Sequence, residues 1–209
     1  MTLAPLAAQS LPSQCFQHAA SFLAAATPAA VLRALLTPEA SAQIAARVTG
    51  VDHVGFLVPS SAATLLPQEA AAAGFDRGHR SFPSTVVASE LGALVGMATV
   101  PTTVFRAWGQ SRRGGPVTVE AFTVQGVPDD VESAWIRAGV ATHIALSVAG
   151  ADGIDEVAAV MLREGWVVPA GVNDGPAWNP DQGLALAYFD RPGTEPVVRL
   201  EYCAPARPR

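Results

Sequence analysis

The pattern of apolar and polar positions changes character near residue 50. Before it, the chain is Ala-rich, and Thr27-Pro28 and Thr37-Pro38 each read as an N-cap followed by Pro at the first helical position. Two or three short helices are expected there, with Ile44 and Val48 forming a narrow stripe suited to packing on something larger. From Val51 the run VDHVGFLVP has a period of two: Asp52, Val54, Phe56 and Val58 share one face, and Val51, His53, Gly55 and Leu57 the other. A helix over 62–73 ends at Gly74, and strands over 77–88 and 102–108 flank a short insert, ASELGALVGM. Residues 112–116 turn the chain into a further strand, 117–124.

The order then repeats. After a connection over 125–140, whose helix carries acidic residues in its first turn, come a strand at 142–148 and a helix at 152–164 ended by Gly165. Strands at 166–169, 184–190 and 196–203 complete the set, the last two joined by the turn Arg191-Pro192-Gly193-Thr194. VDHVGFLV answers ATHIALSV, and VTVEAF answers VRLEYC. The pattern predicts an α+β protein with a helical N-terminal extension (1–50), a first βαβββ module (51–126), a connector (127–141), a second βαβββ module (142–204) and a short tail (205–209).

Each module opens with a His on its first strand and closes with a Glu on its last: His53 and Glu120, then His143 and Glu201. The interval is longer in the first module because of the insert. Strand parity sets Ile144, Leu146 and Val148 on one face and His143, Ala145 and Ser147 on the other, so each imidazole projects from a face of small residues. Glu120 opposes Val119 and Ala121, and Glu201 opposes Leu200 and Tyr202. A lone strand His is usually a core or surface residue. Recurrence at equivalent places in two repeats makes the four a candidate site, because carboxylates in central strands need a compensating partner. Two imidazoles and two carboxylates form an N₂O₂ set suited to one divalent ion, Zn, Ni, Co, Mn or Fe, with positions left for a small-molecule substrate that chelates through adjacent oxygens.

Composition narrows the alternatives. The net charge of −5 and the lack of a basic block argue against a nucleic-acid surface. All 13 basic residues are Arg, which excludes chemistry that depends on a lysine Schiff base or a phosphate-loop lysine. No apolar run reaches the roughly 18–20 residues of a spanning helix, and the N-terminus lacks the pattern of a secretory signal, so no membrane partner and a cytoplasmic location are expected. Cys15 and Cys203 form no motif.

The motifs VDHVGFLVP, ATHIALSV and LALAYFDRPGTEPVVRLEYC resemble those of the vicinal oxygen chelate superfamily, which includes glyoxalase I, methylmalonyl-CoA epimerase, type I extradiol dioxygenases, and fosfomycin and bleomycin resistance proteins. The resemblance covers about residues 51–203. It implies that the strands curl as a mixed sheet around a metal cavity, within one chain or across a homodimer. It further implies that Glu120 and Glu201 occupy the catalytic positions of glyoxalase I-like isomerases and lyases. A His53–His143–Glu201 triad on Fe(II) would instead suit a ring-cleaving dioxygenase, and a non-catalytic binder is a third reading. Arg80, Arg106 and Arg199 are candidates to hold an anionic group, and Trp108, Phe122, Trp178 and Tyr188 to stack on a substrate. The Gly- and Pro-rich segment 173–183 reads as a lid or a long hairpin loop.

Overall fold

The computed structural model describes residues 11–110, 115–169, 177–179 and 184–205, the backbone alone for 177–179. Three helices come first: α1 (Pro12–Ala25), α2 (Pro28–Leu35) and α3 (Pro38–Ile44). The Thr27 and Thr37 side chains accept from the backbone N–H groups of Ala30 and Ala40, as the Thr-Pro pairs predict. α3 stops at Ile44, and Val48 already belongs to β1 (Val48–Leu57), so the two residues meet in one core cluster without sharing a helix. Among the described residues no single helix is long and apolar enough to cross a membrane.

The first module continues with a 3-10 turn (Ser60–Leu65), α4 (Leu66–Ala72), β2 (Gly78–Pro83), α5 (Thr85–Leu94), β3 (Thr102–Gln110) and β4 (Pro116–Val124). The helix expected over 62–73 is split because Pro67 has no N–H to continue the 3-10 turn and instead starts an α-helix. The strand expected over 77–88 ends at Pro83. Ser84 accepts from Val87 N–H and caps α5, so the local capping chemistry overrides the β-branched run Thr85-Val86-Val87.

After α6 (Asp129–Ala138) the second module supplies β5 (His143–Val148), α7 (Ala151–Arg163), β6 (Ala177–Asn179), β7 (Leu184–Arg191) and β8 (Val198–Pro205). The strand expected at 166–169 is reduced to a single bridge, Val167 to Asp190, and the second strand of the module is β6. Among the described residues the strands form one eight-stranded mixed sheet in the order β2-β3-β4-β1-β5-β8-β7-β6. β1 pairs parallel with β4, β5 parallel with β8, and β1 antiparallel with β5. The order reads the same from either edge, as two modules joined along their first strands require.

The N-terminal helices cover the outer face of both modules. Phe16 of α1 is fully buried, its ring 5.4 Å from Phe56 and 6.2 Å from both Phe75 and Phe105. Burying such a side chain stabilises the fold by about 1.5–3 kcal/mol. Val31 and Leu32 of α2, with Ile44 of α3, join the core that α7 makes with Ile144, Leu146 and Val148. α5 and α6 instead pack with Leu57, Val104 and Phe122 on the inner side of the sheet. The outer face is thus sealed, and the inner face is left partly open.

Candidate metal centre

The pairing of β1 with β5 sets Gly55 opposite His143 and His53 opposite Ala145, so both imidazoles come from the central strands of one chain. Glu120 sits across from Gly55 on β4, and Glu201 across from Ala145 on β8. All four side chains are buried. Gly55 is one of the small residues on the face from which His53 projects. The space it leaves belongs to the neighbouring imidazole: a Cβ at Gly55 would lie 2.2 Å from His143 Cε1.

His53 Nε2 lies 3.1 Å from His143 Nε2, 3.6 Å from Glu201 Oε2 and 3.5 Å from Glu120 Oε2, and His143 Nε2 lies 3.0 Å from Glu201 Oε2. The outer nitrogen of each ring is engaged. His53 Nδ1 bonds Asp52 at 2.8 Å, and His143 Nδ1 donates to the Ala141 carbonyl at 2.9 Å. These bonds turn both Nε2 atoms inward, which is how metal-binding histidines are oriented. Ala141 adopts φ 60°, an uncommon conformation for a residue with a Cβ, two residues before the imidazole that its carbonyl holds.

Strict alternation assigned Asp52 to the face opposite His53. The structure corrects this: a register shift between Val51 and His53 breaks the alternation, and the Asp52 carboxylate reaches the ring of its own neighbour. A bulge is the usual device for re-aiming a side chain beside a site. Ser147 Oγ stands 3.5 Å from the second Asp52 oxygen. The His53 bond holds the Asp52 carboxyl below its ordinary value.

With the outer nitrogens donating, two Nε2 lone pairs and a carboxylate oxygen face one another at 3.0–3.6 Å. That arrangement requires a shared cation. Without a metal the cation is a proton: burial works against a charged His53, but Glu120 and Glu201, helped by the Asp52 bond, hold it up at about 10. Burial likewise opposes ionised Glu201, and the His53 charge and the His143 bond outweigh it, keeping the carboxyl well below its usual range. A divalent ion fits the same atoms. Bonds of about 2.1 Å give donor-to-donor edges of about 3.0 Å in octahedral and about 3.4 Å in tetrahedral coordination, the spacing seen here. The His53–His143–Glu201 triad can therefore hold a metal.

Glu120 faces the triad with one oxygen. The other, Oε1, accepts from Arg106 Nε at 2.6 Å and Nη2 at 2.5 Å. Arg106 is its cross-strand partner on β3, and Tyr188 is the equivalent partner of Glu201 on β7. Burial, then the nearby carboxylates, push the Tyr188 phenol well above its ordinary value, so it stays protonated beside Glu201. Its ring meets that of His143 edge-on at 6.1 Å.

These groups form the floor of a cavity of about 410 Å³, walled by Phe82, Val87, Val104, Phe122 and Leu186. Phe122 is buried 5.9 Å from His143, a wall residue rather than an open stacking platform. Trp108 lies beneath Arg80 instead of on the wall, and the side chain of Trp178 and most of segment 173–183 lie outside the described residues. Arg199 does not face a ligand unpaired. It is buried and bonded to Asp190 through Nε at 2.6 Å and to Glu90 through Nη1 at 2.7 Å. Neither acid stands out in the sequence: Glu90 lies in the insert that has no counterpart in the repeat, and Asp190 ends a strand beside a turn.

No family model and no curated protein matches the chain. Among solved structures it is similar to a variant of Streptomyces coelicolor methylmalonyl-CoA epimerase in complex with 2-nitronate-propionyl-CoA (20% identity, 77% of this chain, 99% of that one, TM-score 0.43). A methylmalonyl-CoA epimerase in complex with methylmalonyl-CoA and NH4+ is similar at 19% identity over 74% of this chain and 94% of that one, with a TM-score of 0.41. A xylose isomerase-like TIM barrel/4-hydroxyphenylpyruvate dioxygenase fusion protein is similar at 9% identity over 78% of this chain and 27% of that one, with a TM-score of 0.37.

Proposed function

We propose that this protein is a metal-dependent enzyme that moves a proton on a small substrate chelated through adjacent oxygens, in the manner of an isomerase, lyase or epimerase. The observation that carries the reading is Glu120: a buried carboxylate with one oxygen fixed by Arg106 and the other facing the triad, 3.5 Å from His53 Nε2. His53, His143 and Glu201 hold the ion. When bound, the metal supplies Lewis-acid polarisation of the chelated oxygens, which makes a neighbouring C–H more acidic.

Glu120 then acts as the base. Arg106 holds it against swinging into the ion, leaves Oε2 toward the substrate, and compensates the charge when the ion and carboxylate share one cavity. Tyr188, kept as a phenol across from Glu201, adds no further charge beside that ligand. The proton taken by Glu120 is returned to a carbon of the substrate, and between the two steps the carboxyl exchanges with solvent through the open mouth of the cavity.

The test is deuterium wash-in. Metal-loaded protein is incubated in D2O with 2-oxo acids, and exchange at the carbon next to the ketone is followed by NMR. Exchange that requires the metal and is abolished by Glu120→Gln, with the metal retained, is expected. Exchange unchanged in Glu120→Gln contradicts the assignment.

A second reading has its own support. The tightest cluster is two His and one Glu, the facial set of non-haem Fe(II) oxygenases. Oxygen uptake by the iron-loaded protein with a catechol, and none with other metals, would put ring cleavage first.

A further inference from the structure

Among the described residues three arginines stand at the cavity, and they are not equivalent. Arg106 is neutralised by Glu120, and Arg199 by Glu90 and Asp190. Arg80 is different. Its guanidinium lies 4.9 Å from the centre of the Phe82 ring and 5.8 Å from that of Trp108, and among the described residues no carboxylate pairs with it. It is exposed and lines the cavity at the edge farthest from the sheet centre.

Register fixes its relation to the centre. Arg80 pairs with Arg106, Arg106 with Glu120, Glu120 with Gly55, and Gly55 with His143, so these residues form one row across the sheet. Adjacent strands lie about 4.8 Å apart, which sets Arg80 three strand spacings, about 14 Å, from β1 along the row, less the inward reach of the Arg80, His53 and His143 side chains. Phe82, two residues on and on the same face, and Val104, its cross-strand partner, supply an apolar strip along this edge. Stacking on two rings holds a guanidinium while leaving its fork of N–H donors open, the geometry that takes a carboxylate in two parallel bonds.

Building on the chelating centre proposed above, we propose that the cavity selects a substrate with two anionic ends: adjacent oxygens at the His53–His143–Glu201 centre and a second carboxylate on Arg80 at the mouth, joined by a short carbon chain along Phe82 and Val104. The substrate class is a small dicarboxylate with an oxo or hydroxy group beside one carboxylate. Arg106 and Arg199 are excluded from this role by their own carboxylates.

The experiment is calorimetric titration of metal-loaded protein with two series of probes, 2-oxo dicarboxylates of five to eight carbons and 2-oxo monocarboxylates of the same lengths. At one chain length the second carboxylate is expected to tighten binding about tenfold, and Arg80→Gln to erase that gain while leaving monocarboxylate affinity and metal content unchanged. No gain at any length, a gain that survives Arg80→Gln, or no binding of either series overturns the proposal. The same titrations on chelator-stripped protein separate the two readings. If monocarboxylates bind equally well without metal, the chelating centre fails, whereas a lost Arg80 preference with metal-dependent binding intact condemns the dicarboxylate alone.

Discussion

The two modules present the same pair of ligating residue types on equivalent strands and support them differently. In the first, the His is held by the Asp52 carboxylate and the Glu by the Arg106 guanidinium. In the second, the His is held by a main-chain carbonyl and the Glu has a tyrosine as its cross-strand partner. One half of the centre is therefore tied into charged pairs, and the other into neutral donors and acceptors. The difference divides the labour that symmetry would share: Glu201, not engaged by a cation of the chain in its own hairpin, closes on both imidazoles, while Glu120 is restrained beside them. The row next to the carboxylates diverges too. Where the first module pairs Trp108 with Thr118, the second pairs Asp190 with Arg199, and Arg199 also takes Glu90 from the helix inserted into the first module. The insert thus fastens one module to the other across the cavity.

Breaking that fastening has the largest expected effect. Glu90→Gln leaves Arg199 paired with Asp190 alone and removes a buried charged hydrogen bond between the modules, a loss of about 1.5–3 kcal/mol. Denaturant unfolding checks it. The conservative Arg106→Gln, at a pair nearer the cavity, is expected to lower the midpoint less and to impair proton exchange more.

Gly55→Ala tests whether the first module must yield space to the second. The added methyl overlaps the His143 ring, and overpacking of this kind costs about 1–3 kcal/mol. Metal affinity falls with it, because the ring moves. Thermal unfolding with and without added metal separates the two losses; equal metal binding to the variant would show that the ring tolerates displacement.

Asp52→Asn addresses the asymmetry of the two histidines. Loss of a charged partner behind a metal-bound imidazole is expected to weaken metal affinity about 10–100-fold with the fold intact. Competition with a chromophoric chelator measures it. No change would mean that the bulge is structural only.

The mildest perturbation is pH. His53 in the metal-free protein sits at about 10, against about 6.5 in an unfolded chain, so its contribution to stability is complete below about pH 6.5 and is lost as pH rises through about 10. Glu201, held below its ordinary range, contributes above the ordinary carboxylate value and loses that contribution as pH falls beneath it. The denaturation midpoint of stripped protein is expected to decline from pH 6.5 to 10, less steeply in Glu120→Gln.

That His53, His143, Glu120 and Glu201 come together was legible because strand parity repeated in two modules is written in the sequence itself. They needed only the period of two and the repeat. Asp52 was misread for the complementary reason: parity fails at a bulge, and no side-chain pattern announces an unpaired backbone residue. Glu90 and Asp190 were missed because their meaning depends on Arg199, which lies in another strand and, for Glu90, another module. The run at 84–88 was read as strand on its β-branched residues, and one serine hydroxyl at the cap decided for helix. The sites of Arg106 and Arg199 were found, but their counter-ions, and so their roles, depended on cross-strand register.

The most direct measurement is elemental analysis of protein purified without a metal-affinity tag, wild type beside His53→Ala, Glu201→Ala and Glu120→Gln. A centre held by His53, His143 and Glu201, with Glu120 beside it, predicts about one equivalent of divalent metal in wild type and in Glu120→Gln and almost none in the other two. A wild-type protein without metal, or a metal content indifferent to His53→Ala and Glu201→Ala, would contradict it.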